Sequence, residues 1–246
     1  MRILMVSLDF FPTVGGITAH VYELSKGLIA AGHKVSLVTR VIDGKCADYD
    51  VVDGIHVYRV KLLGPGFLYG WILNRFISKL KQKENFDLVH IHGMRPLEFY
   101  QKGEIPLVYT NHTSGYLKRL KKGGYRLTIL EKLFKKPDLF LAPSEELLDI
   151  PFSIRAKKVY IPNGIDTSVY HFSDELRKRL RQELGFGESD LVGIVTRRLV
   201  QKNGVIFLAL AMEFVRNKNI KLLIIGDGEE REKIKNILDT HFADRY

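Results

Sequence analysis

Short apolar runs alternate with amphipathic stretches along nearly the whole chain. The first, "RILMVSL" (2–8), is a continuous run of strand-forming residues closed by Asp9 and Pro12. From 17 to 31, Ile17, Val21, Leu24, Leu28 and Ala31 recur at the spacing of one helix face, and Gly32 ends the pattern. "KVSLVTR" (34–40) is the next apolar run. The same reading predicts strands at 55–60, 86–92, 105–112, 137–144 and 157–163, with helices in most of the intervals. Alternating strands and helices predict an α/β fold, a mainly parallel sheet wrapped on both faces.

"IPNGIDTSVYHF" (161–172) interrupts this rhythm with Pro and Asn-Gly turn chemistry. A charged helix is predicted at 173–185, then a strand at 190–199, a helix at 203–217, a strand at 219–228 and a helix at 229–241. The predicted organisation is therefore a domain over 1–164 and a smaller one over 165–246. Two strands leave both sheet edges unpaired, so 190–241 is expected to be the least stable part, or to be covered by an oligomer or partner chain. In open parallel sheets, ligands sit beyond the carboxyl ends of the strands. Gly15, His92 and His112 all follow strand ends and are expected on one rim.

Composition adds modest limits. A chain of 246 residues, 46% hydrophobic and 27% charged, reads as an ordinary globular protein. No segment approaches the roughly 20 apolar residues of a membrane-spanning helix. The start lacks a long apolar core and a small-residue cleavage site, which argues against a secretory signal. A single cysteine, Cys46, makes no internal disulfide and fits a reducing cytoplasm.

The net charge of +10 is unevenly spread: segment 115–136 holds eight Lys/Arg and one Glu. A nucleic-acid groove, an anionic membrane surface and a solvated helix face all fit such a run.

Several short motifs carry candidate chemistry. "FFPTVGGITAH" (10–20) sets Gly15 and Gly16 where a strand turns into a helix, so backbone amides and the helix dipole can face an anion. It does not extend to G-x-G-x-x-G, and Arg40 stands where a ribose-binding acid would close the next strand, which weakens a nicotinamide-cofactor reading. His90 and His92 share one strand face, but no third metal ligand lies at a recognisable spacing. His112 follows a strand end. "TRRLVQKNG" (196–204) brings Arg197, Arg198 and Lys202 to the start of a helix, a cationic set suited to a diphosphate. "GDG" (226–228) repeats the strand–glycine–helix device one cycle later.

In their order, "FFPTVGGITAHVYELSKGLIAAGHKVSLVTR", "DLVHIHG", "YTNHTSGY", "YIPNGIDTSVYHF", "RRLVQKNGV" and "LLIIGDGEERE" resemble the retaining GT-B-fold glycosyltransferases, the group of glycogen synthases, sucrose synthases and many mannosyl- and glucosyltransferases. The resemblance implies two Rossmann-like domains, an acceptor-side N-terminal one and a nucleotide-sugar-binding C-terminal one. It implies sugar transfer from a nucleoside diphosphate sugar to a lipid-linked or saccharide acceptor with retention. Gly15, Gly16 and Gly226 match donor-binding glycines, His112 the histidine near the donor sugar, and Arg198 the phosphate-clamp arginine. Lys202 stands one position before the usual clamp lysine, which Asn203 replaces, and Arg197 stands where glycine is usual. No metal and no bound cofactor are implied.

Relatives in this group continue into a motif of two glutamates that this sequence does not reach, so the resemblance implies a C-terminally truncated form whose own turnover is in question. One alternative is a non-catalytic remnant or subunit that binds acceptor or partner while another chain completes the donor site. A third reading is a nucleic-acid module stacking bases on Tyr116 and Tyr125; the resemblance implies none. Under the transferase reading, Lys118, Arg119, Lys121 and Lys122 dock on anionic lipid headgroups, and the expected location is cytoplasmic and peripheral on the inner membrane face.

Overall fold

The computed structural model describes residues 1–41, 46–62, 66–112, 116, 123–242 and 246. The described chain divides into two compact units, Met1–Thr167 and Ser168–Tyr246.

The first unit runs β1 (Arg2–Ser7), α1 (Gly16–Ala30), β2 (Lys34–Arg40), β3 (Tyr49–Val52), β4 (Ile55–Val60), α2 (Gly66–Lys83), β5 (Leu88–His92), α3 (Met94–Phe99), β6 (Leu107–Thr110), α4 (Tyr125–Phe134), β7 (Leu139–Ala142) and β8 (Lys157–Tyr160). Its eight strands lie in the order β3-β4-β2-β1-β5-β6-β7-β8. All neighbours pair in parallel except β3 with β4. Strand β3 is absent from the apolar pattern. It is the outer arm of a hairpin whose turn, Asp53 (φ 48) and Gly54 (φ 83), takes the left-handed backbone that Asp-Gly accommodates.

Strand β1 is central, which explains its unbroken apolar run: both of its faces are covered. Ile3 and Met5 join Val35, Leu37, Ile55 and Val57 against Val21, Leu24 and Leu28 of α1. Leu4 and Val6 point the other way, into a larger core with Leu73, Ile77 and Leu80 of α2 and Leu130, Leu133 and Phe134 of α4. Successive residues of a strand face opposite sides, so one strand serves two cores. Phe134 anchors the larger core, with ring contacts to Tyr109, Tyr116, Phe140 and Phe152.

The second unit runs α5 (Asp174–Glu183), β9 (Leu191–Thr196), α6 (Val205–Ala211), β10 (Ile220–Ile225) and α7 (Arg231–Phe242). Ser173 caps α5 by accepting from the Leu176 amide at 3.2 Å. Strands β9 and β10 pair in parallel as a two-stranded sheet. Helices α6 and α7 bury Val205, Ala209, Ile234 and Leu238 with Leu199 and Leu222. The helix expected at 203–217 is shorter, passing at Met212 into a turn of 3-10 helix. Large apolar side chains remain exposed, among them Leu191, Ile194 and Ile225 on the strands and Phe207 and Phe214 nearby. Among the described residues, no helix of either unit is long and apolar enough to cross a membrane.

Candidate functional site

The chemistry of the first unit follows from strand parity. In β5, Val89 and Ile91 enter the larger core, while Leu88 packs against the α1 side. His90 and His92 therefore face α1 with Leu88. In β6, Tyr109 enters the larger core, so Thr110 and His112 face the same way as the two histidines. Helix α1 begins at the glycine pair, and His20 sits in its second turn. Three separate elements thus bring imidazoles to one rim.

The rings are in contact. His20 meets His112 edge to face with centroids 4.5 Å apart, and His92 stacks on His112 at 5.4 Å. Nδ1 of His92 lies 3.1 Å from Nε2 of His112. Nε2 of His90 is engaged by Thr110 Oγ1 at 2.7 Å, while its ring lies against that of His92 with centroids 4.1 Å apart. Nδ1 of His20 is held by Asn163 Oδ1 at 2.9 Å, just past β8. Nε2 of His20 and Nε2 of His92 are buried with no hydrogen-bond partner among the described residues.

Burial keeps the cluster neutral. His90 and His112 are both pushed down to about 3, first by desolvation and then by neighbouring imidazoles. His92 lies well below the usual range for the same reasons. His20 is lowered by burial against the opposing pull of Asn163. Near neutral pH these groups act as hydrogen-bonding dipoles and lone-pair donors, without positive charge of their own.

The glycine pair stands at the start of α1. Gly15 is the N-cap with extended backbone (φ 176), and no side chain caps the helix. A Cβ built on Gly15 or Gly16 meets nothing within 4 Å, so packing does not require glycine at either position. A cavity of about 250 Å³ adjoins this rim, lined by Ser7, Asp9, Ile17, Arg40, His92 and Arg95 among others. Arg40 pairs with Asp9 at 2.9 Å across it.

In the second unit, Arg198 and Lys202 are both exposed. Asn203 Nδ2 donates to the Arg198 carbonyl at 2.8 Å and closes the loop that carries both cations. The same loop is zipped to the end of β10: the Arg197 amide donates to the Ile225 carbonyl, and the Leu199 amide to the Asp227 carbonyl. Gly226 has a packing reason to be glycine. A Cβ there would stand 1.9 Å from the Arg197 carbonyl oxygen, and one on Gly228 2.3 Å from that of Leu199.

The basic segment is only partly described. Lys118, Arg119, Lys121 and Lys122 lie outside the described residues. Tyr116 is fully buried, its hydroxyl donating to the Glu146 and Asp149 carbonyls, so it offers no face for a stacked base. Lys136 is half-buried and donates to the carbonyls of Leu97, Glu98 and Tyr100. Lys135 pairs with Glu131 at 2.5 Å.

A family model described as Glycosyltransferase Family 4 matches residues 14–169, more than half of the chain. The chain belongs to Glycosyltransferase Family 4. Over its whole length it is 26% identical to the alpha-monoglucosyldiacylglycerol synthase of Acholeplasma laidlawii, covering 68% of that protein. Across the curated relatives it matches along nearly its whole length, the chain spans 55% to 68% of theirs. Among solved structures it superposes on a sucrose-phosphate synthase from Thermosynechococcus elongatus with a TM-score of 0.80, at 19% identity, over 99% of this chain and 69% of that one. Anabaena HepE in complex with UDP and glucose gives a TM-score of 0.68 at 19% identity, over 100% of this chain and 68% of that one. The fold is the parallel-sheet α/β architecture of the GT-B transferases.

Within this family member, sequence reasoning named His92 and His112 separately and passed over His20. The signal available was its position, one turn beyond the glycine pair on the helix that faces the strand ends. Asn163 was read only as a turn residue.

Proposed function

We propose that this family 4 protein transfers a sugar from a nucleoside diphosphate sugar to a lipid-linked or saccharide acceptor with retention of anomeric configuration. The observation that carries the reading is the rim of the first unit. A side-chain-free helix start at Gly15 and Gly16 stands one helical turn from a neutral His112–His20 contact, next to an open cavity. Glycines that no packing explains leave room for a ligand to reach backbone amides. A neutral imidazole at His112 can accept or donate a hydrogen bond to a sugar hydroxyl and tolerates positive charge developing at the sugar carbon.

In the second unit, Arg198 and Lys202 take the donor's diphosphate, Arg198 as a planar fork and Lys202 as a point charge. Gly226 serves that unit by letting the cation-bearing loop lie against the end of β10. The leaving phosphate deprotonates the incoming hydroxyl on the face it departs from, which accounts for retention. A lipid-linked acceptor is favoured by the relative that makes a glucosylated diacylglycerol. It is also favoured by exposed Leu68 and Trp71 on α2, with Arg75 stacked on the Trp71 ring at 5.4 Å, a pairing suited to a peripheral position on an anionic membrane.

Calorimetric titration with UDP-glucose, GDP-mannose and the free diphosphates tests the reading and identifies the base. Binding that Arg198→Ala weakens supports it; no binding of any nucleotide sugar overturns it. Proton NMR of the product anomer decides retention.

A second reading rests on the two-stranded sheet of the second unit, whose apolar residues stay exposed. Here the chain binds donor weakly alone and turns over only once further polypeptide covers those strands. Copurification of a partner that restores turnover favours this form.

A further inference from the structure

His20, His92 and His112 each offer a ring nitrogen, and the three nitrogens lie within 4.8 Å of one another. The hydrogen bonds fix part of their protonation. Asn163 presents its amide oxygen to His20 Nδ1, and an oxygen only accepts, so the proton is on Nδ1 and the lone pair on Nε2. That Nε2 is buried and unpartnered. His92 Nδ1 and His112 Nε2, 3.1 Å apart, share one proton between them. His92 is 1% exposed, and its other nitrogen is again buried without a partner among the described residues.

Orphaned nitrogens in a buried site are costly unless something else engages them. A metal ion is suited to engage the His20 Nε2 lone pair together with His92 Nδ1 and His112 Nε2, displacing the proton that those two share. Ligand nitrogens about 2.0–2.1 Å from a tetrahedral zinc stand roughly 3.3 Å from one another, close to the His92–His112 separation. Three neutral imidazoles with no carboxylate among them favour borderline transition ions over magnesium or calcium. Asn163 supplies the outer acceptor that holds a ligating histidine in its correct tautomer.

We propose that His20, His92 and His112 bind a divalent transition-metal ion of the zinc class, with the fourth position left to solvent. The ion takes the lone pair that the sugar-transfer reading assigns to His112, so under that reading its occupation inhibits transfer. The site itself does not depend on that reading.

The test is calorimetric titration of the chelator-dialysed full chain with zinc chloride and, separately, magnesium chloride. The visible absorption of the cobalt(II)-loaded chain is recorded alongside. One zinc per chain, no magnesium uptake and a four-coordinate cobalt spectrum are expected. His20→Gln and His112→Gln should each raise the zinc dissociation constant by at least about tenfold, and Asn163→Ala by about tenfold, with circular dichroism melts confirming that each variant is folded. Absence of stoichiometric uptake overturns the proposal. So does zinc affinity unchanged in both histidine variants, which would place the ion on surface histidines such as His33 or His56. Failure of the zinc titration leaves the sugar-transfer reading standing, and failure of nucleotide-sugar binding leaves the metal site standing.

Discussion

His20 meets His112 edge to face at 4.5 Å, joining the helix that starts at the glycine pair to the loop after β6. Removing the His20 ring leaves His112 unsupported on one side. His20→Ala is expected to lower kcat for sugar transfer by about 10- to 100-fold with little change in KM, because it misplaces a group without removing it. His112→Ala is expected to cost about 100-fold or more. Steady-state kinetics with a nucleotide sugar and acceptor measure both; equal KM increases with unchanged kcat would refute the positioning role.

Two glycines from similar motifs are expected to behave oppositely. Gly226→Ala forces a Cβ against the Arg197 carbonyl and should destabilise the second unit by about 3 kcal/mol or more. Gly16→Ala meets open space inside a helix and should leave stability unchanged or raise it by up to about 1 kcal/mol, while weakening donor binding. Urea unfolding and donor titration on the same samples separate the two effects.

Asn203 closes the loop of Arg198 and Lys202 by donating to the Arg198 carbonyl. Asn203→Ala should weaken diphosphate binding by roughly 5- to 10-fold, equivalent to about 1 kcal/mol for a lost hydrogen bond. Isothermal titration with UDP or GDP checks this, and an unchanged affinity would show that the loop holds its shape without the contact.

Asp138 ties three parts of the first unit together. One carboxylate oxygen accepts from Lys102 Nζ at 2.5 Å and the other from the Leu107 amide at 2.8 Å. These bonds, the Lys102 contact foremost, hold its carboxyl below the usual carboxylate range. A carboxyl lowered in the folded state contributes stability above its unfolded value near 3.8 and loses it as pH falls through the lower folded value. Asp138→Asn should therefore lower the melting temperature at pH 7, with the difference from the parent shrinking below about pH 4. A difference independent of pH would remove the charge from the explanation.

The alternation of strands and helices was legible because β1, β2 and β5 are covered on both faces and carry apolar residues on each. Strand β3, at the sheet edge, carries no such run; only the Asp53–Gly54 turn betrayed it. Of the site, His92 and His112 were visible from their places after strands. His20 was not, since nothing in the local sequence says which residue of an amphipathic helix will lean back over a sheet rim. Gly226 resembled a donor-binding glycine, and the close approach of the Arg197 carbonyl also requires glycine there. Tyr116 looked available for stacking because it lies in a basic run, whereas its ring closes the core beside Phe134.

The parity of β5 makes one five-residue strand serve both the aliphatic interior and the reactive edge. A single inserted or deleted residue ahead of Val89 would rotate Val89 and Ile91 out toward that edge and drive His90 and His92 inward. The strand is therefore expected to tolerate exchange of one side chain for another far better than a change in its length, which the loops on either side would have to absorb.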